Sequence, residues 1–111
     1  MSGSEMPSTT PAEAAAGDGL LVDVRELDEW IAGHAAAAVH IPLMEVPGKL
    51  DALPTDRPIV CICRSGARSA RATEFLRGHG YDARNMVGGM KAWAADGLPV
   101  VRIDGGTGAV I

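Results

Sequence analysis

The chain reads as an α/β protein built on a parallel sheet, and two observations carry that prediction. Compact apolar runs at residues 20–24, broken only by Asp23, and at 59–63 read as strands buried on both faces, and residues 83–87 supply a third candidate strand. Helical segments closed by glycine separate these runs, and strands joined through helices pair in parallel with right-handed crossovers.

Taken in order, residues 1–8 are small and polar and read as a flexible segment ahead of a domain spanning 9–101. Thr10, Pro11 and Glu13 form a capping-box signature with proline at the first helical position, so a short helix is expected to about Ala16. Gly17 and Gly19 stop it before the first strand. Leu27, Trp30 and Ile31 make one apolar helical face ending at Gly33, and both tryptophans, Trp30 and Trp93, read as core anchors. The alanines at 35–38 are expected to turn into a short strand at Val39. Residues 44–53 show a weak helical period interrupted by Pro47. A helix over 67–79 puts Ala72, Phe75, Leu76 and His79 on one face, and a last short helix runs from Met90 to about Ala95. Residues 102–111 form a Gly-rich tail with no assigned structure.

Composition narrows the function. The 111 residues carry a formal net charge of −4, which argues against a nucleic-acid or anionic-membrane partner. No apolar stretch approaches the ~18 residues of a membrane span, and no signal peptide is evident at the N-terminus, so a cytoplasmic protein is expected. Two cysteines one residue apart make no disulfide framework, which fits a reducing compartment. Neither they nor the three histidines have metal-ligand spacing, so neither metal nor cofactor is predicted.

Against that acidic background one segment is basic: Cys63, Arg64, Ser65, Gly66, Ala67, Arg68 and Ser69, with Arg71 just beyond. It follows a strand and opens a helix, where backbone N–H groups and the helix dipole favour negative charge. Cysteines in such positions ionise at pH values as low as ~3.5–7.5, which makes Cys63 the candidate nucleophile. Arg64 is expected to attract an oxyanionic donor, because a guanidinium meets paired oxygens with paired N–H groups. Arg68 has two readings, donor binding or bracing of the loop against a carboxylate. Ser65 and Ser69 read mainly as helix caps, with hydrogen bonding to an anionic sulfur or oxyanion held in the loop as the second role. Cys61 reads as a buried core residue, against a competing role as a resolving thiol. Asp23 and Arg25, at the end of the first strand, are supporting candidates that either line the site or form an ion pair ordering the nearby loops.

The ordered motifs Asp23-Val24-Arg25-Glu26, Gly33-His34, His40-Ile41-Pro42-Leu43, Cys63 to Ser69, and Gly88-Gly89-Met90 with Trp93 resemble the single-domain rhodaneses. The resemblance covers roughly residues 9 to 100. It departs at Ala35-Ala36-Ala37-Ala38, where many relatives have Ile-Pro-Gly-Ala. It implies a small doubly wound parallel sheet with helices on both faces and a cysteine that carries sulfane sulfur as a persulfide. The implied partners are a small-molecule donor such as thiosulfate and a thiol or cyanide acceptor, with a protein acceptor as a further candidate. Two alternatives stand beside this enzyme: a persulfide carrier that docks a protein, and a Cys-dependent phosphatase. Phosphatases of similar fold place five residues between the loop's Cys and Arg, and this chain has four, 64–67, a smaller ring suited to one sulfur atom.

Overall fold

The computed structural model describes residues 6–111; residues 1–5 of the segment expected to be flexible lie outside them. Five strands, β1 (Ser8–Thr9), β2 (Leu20–Asp23), β3 (Val39–His40), β4 (Ile59–Ile62) and β5 (Ala83–Met86), alternate with helices. The helices are α1 (Pro11–Ala16), α2 (Leu27–Ala32), α3 (Ala67–Gly78) and α4 (Gly89–Ala95), with a run of 3-10 turns over Leu43–Ala52. The strands lie in the order β1-β5-β4-β2-β3, and every pairing is parallel.

Every residue of β4 is buried, as its unbroken apolar sequence requires of a central strand. One face of the sheet packs Val22, Ile59 and Cys61 against Ala72 and Leu76 of α3 and Val46 of the 3-10 segment. The other packs Leu21, Val60 and Ile62 against Ala14 of α1 and Met90 and Trp93 of α4. Helices thus cover both faces, the doubly wound arrangement expected. The capping box is present: Thr10 Oγ1 accepts from the Glu13 N–H at 3.1 Å, and Glu13 accepts from the Thr10 N–H at 2.9 Å. Pro47 has no N–H to give a regular helix, and the chain there closes 3-10 turns instead.

Some expectations change. Ser8 pairs with Asn85, so ordered structure begins before residue 9. Leu27 and Ile31 are 58% and 50% exposed and no residue of α2 is fully buried, so the apolar face read there is not core. Trp30 is half-buried and stacks with both His34 and His40, whose ring centroids lie 3.7 Å and 4.9 Å away. His79 is exposed, its ring resting on Phe75 at the helix end. The four alanines do turn without glycine or proline: the Ala38 N–H donates to the Ala35 carbonyl at 3.0 Å. The tail folds back, with Val101 bridging both His34 and Thr107 and the Ala109 N–H donating to Ala32. Among the described residues no helix is long and apolar enough to cross a membrane.

Candidate active site

The carboxyl ends of β2, β4 and β5 meet at one edge of the sheet, where parallel α/β proteins form their sites. Cys63 follows β4 there and is 1% exposed. Its loop turns at Gly66, whose φ of +112° is a conformation that side chains bearing a Cβ avoid. That turn sends the Gly66 N–H back to Cys63 Sγ at 3.0 Å, while Ser69 Oγ reaches the same sulfur at 3.3 Å from the first turn of α3. Burial opposes ionisation of this thiol. Hydrogen bonds from the Ser69 hydroxyl and from the N–H groups of Ser69, Gly66 and Ser65 outweigh it and hold the thiol below its ordinary value. Cys61, wholly buried on β4, behaves oppositely: burial pushes its thiol up to about 11.

The loop is fixed from behind by α4. The N–H groups of Met90 and Lys91 donate to the Cys63 and Arg64 carbonyls at 2.8 and 3.0 Å. Only glycine permits this approach at position 89, where φ is +59° and a Cβ would stand 2.4 Å from the Cys63 carbonyl oxygen.

The arginines separate in role. Arg68 makes a paired bond to Glu29, at 2.7 and 2.8 Å, tying the start of α3 to α2; of its two readings, loop bracing is the one present. Arg64 is exposed and donates from Nε to the Ile111 carbonyl at 3.0 Å, so the tail reaches the loop. Arg71 is exposed one turn into α3, and Ser65 and Ala67 are exposed on the loop. Neither serine caps α3: Gly66 occupies the cap position, and Ser69 is buried against Cys63. Asp23 and Arg25 form a wholly buried ion pair at 2.8 Å, and Arg25 also donates to the Gly33 carbonyl at 2.7 Å. Among the described residues neither side chain bonds to Cys63, and Arg25 Nη1 has no partner.

Two contributors escaped the sequence reading. Glu29 was not identified as the carboxylate that meets Arg68. Asn85 on β5 bonds both Ser69 and Gly66; the available signal was a short amide inside a strand leading directly to Gly88-Gly89.

The Arg68 hydrogen bonds hold the Glu29 carboxyl down to about 2, against burial. Because the folded value lies below the unfolded one, the pair's stabilisation is complete above the ordinary carboxylate range and is lost as pH falls toward 2. Glu29→Gln should therefore cost about 1 kcal/mol at neutral pH, allowing for solvent screening, and almost nothing near pH 2. Urea unfolding across that range measures the difference; a pH-independent cost would contradict the assignment.

The comparisons agree with this geometry. Residues 8–96 match the model of the rhodanese-like domain. A sulfurtransferase of Allochromatium vinosum is 42% identical over 89 residues, 79% of this chain and 83% of that protein. A putative sulfurtransferase of Bacillus subtilis, YtwF, is 40% identical over 79 residues, 71% of this chain and 77% of its own. The crystal structure of a rhodanese-related protein from Thermoplasma volcanium superposes with a TM-score of 0.78 at 35% identity, covering 86% of this chain and 97% of that one. With sheet, loop and sequence in accord, the chain belongs to the rhodanese-like family, whose relatives include sulfurtransferases.

Proposed function

We propose that this protein is a thiosulfate sulfurtransferase working through a persulfide on Cys63. The observation that carries the reading is the recessed Cys63 sulfur, facing the Gly66 N–H and the Ser69 hydroxyl in a loop that favours its anion. In the first half-reaction the thiolate attacks the outer sulfur of thiosulfate. The Cys63 S–S bond forms, the donor S–S bond breaks, and sulfite leaves with the bonding pair. In the second, cyanide or a thiol attacks the terminal sulfur, and the pair returns to Cys63 as thiolate; ping-pong kinetics follow.

Arg64 draws in the oxyanion, since its Nη groups face no bonded partner among the described residues. Arg68 does not serve there, being held by Glu29, and this also weighs against a phosphatase, which needs its loop arginine for the phosphate oxygens. A reducing cytoplasmic setting would keep Cys63 free between turnovers.

Mass spectrometry of the intact protein after incubation with thiosulfate tests the reading. One added sulfur atom, removed by cyanide or a thiol, is expected, and Arg64→Ala should need roughly tenfold more thiosulfate for half-loading, the loss of one charge-assisted contact. Absence of any added sulfur would overturn the donor assignment. Loading from a protein persulfide alone would place the chain among carriers instead.

A further inference from the structure

We infer that Asn85 is a positioning residue that accepts the hydrogen bond of the Ser69 hydroxyl and thereby sets how strongly Ser69 supports the Cys63 anion. The orientation of its amide follows from chemistry. Gly66 presents a carbonyl to Asn85 at 3.2 Å, and a carbonyl can only accept, so the amide nitrogen faces it. The amide oxygen is thereby turned to Ser69 Oγ at 2.6 Å, and because that oxygen also can only accept, the serine must donate.

A serine hydroxyl has one proton. The same Oγ lies 3.3 Å from Cys63 Sγ, so sulfur and amide compete for a single hydrogen. While the proton points to Asn85, Ser69 offers the sulfur a lone pair, which suits a neutral thiol and opposes a thiolate. When Cys63 ionises, the hydroxyl must turn, and the Asn85 oxygen loses its partner. Asn85 therefore tempers the acidifying effect of the loop. This has a use: a less acidic thiol is intrinsically more nucleophilic, and attack is fastest when its pKa lies near the ambient pH. The Ser8–Thr9 strand holds Asn85 in place, with the Asn85 N–H donating to the Pro7 carbonyl at 2.9 Å.

The inference rests on Cys63 being the reactive sulfur, but its test does not use sulfur transfer. In the full chain, the pKa of Cys63 is read from the pH dependence of its alkylation by iodoacetamide, located by peptide mapping. Wild type, Ser69→Ala, Asn85→Ala and the double variant form a cycle, with folding checked by circular dichroism. Ser69→Ala should raise the pKa by at least about half a unit more in the Asn85→Ala background than in wild type, because only there is the proton free for sulfur. Equal shifts in the two backgrounds, or a larger one in wild type, would overturn the inference. Should Asn85→Ala not fold, Asn85→Asp takes its place. Its carboxylate still accepts the Ser69 proton, so adding Ser69→Ala should move the pKa no more than in wild type, and a larger rise would be fatal to the idea. A failure to load sulfur with this coupling intact would count against the sulfurtransferase reading alone.

Discussion

Cys63→Ser is expected to abolish sulfur uptake from thiosulfate entirely, whereas Cys61→Ser should load as wild type does. A serine hydroxyl does not ionise near neutrality and forms no persulfide, so the surrounding loop has nothing to act through. The two native thiols lie two residues apart, Cys61 within β4 and Cys63 just past its end, yet their surroundings drive them in opposite directions. Cys63 meets N–H and hydroxyl donors that favour its anion. Cys61 sits among Val22, Ile59 and Leu76, held neutral with its thiol pushed up to about 11. The cost of Cys61→Ser falls on stability, about 1–3 kcal/mol for placing a hydroxyl in that core. Intact mass after thiosulfate treatment reads both variants at once. A Cys61 variant that fails to load while folded, or a Cys63 variant that loads, would reverse the assignment of the nucleophile.

The largest effect on folding is expected from Arg25→Ala. The guanidinium is wholly buried, bonds both Asp23 oxygens at 2.8–3.1 Å, and ties down the Gly33 carbonyl where α2 ends. Its removal leaves a buried carboxylate without its cation, which costs about 3–5 kcal/mol. Domains of this size are stable by about 5–15 kcal/mol, so the variant should lie near its unfolding threshold at physiological temperature. Denaturant unfolding at neutral pH measures the loss. Replacing both partners together, Asp23→Leu with Arg25→Met, should recover much of it, because the penalty lies in the orphaned charge more than in the missing bond. A single-variant cost below about 1 kcal/mol would show that Asp23 finds water or another donor.

The sheet was readable wherever burial alone determines the sequence. Runs such as Ile59–Ile62 have no other stable use, and the Thr10/Glu13 box marks a helix start through local bonding alone. The loop at Cys63 was readable for a related reason: its turn needs glycine at Gly66, three residues beyond the thiol that the turn's N–H reaches. What escaped depends on contacts distant in sequence. Arg68 could be read as brace or as binder until its partner was seen 39 positions away, at Glu29. Serine near a helix start usually caps it, but the strand carrying Asn85 gives the Ser69 hydroxyl a different acceptor. Leu27 and Ile31 have core spacing, but periodicity states which residues share a face and not what that face meets.

The two outermost strands, Ser8–Thr9 and Val39–His40, are only two residues long each, although they flank three strands of four residues. A sheet of this kind risks recruiting further chains, since any long, flat edge offers unpaired N–H and C=O groups as a template. Here β1 covers β5 and then ends, and β3 does the same for β2. Each border leaves too little ladder for a foreign strand to register upon. The interior can therefore be as apolar as the thiol's setting demands without making the molecule adhesive along its rim.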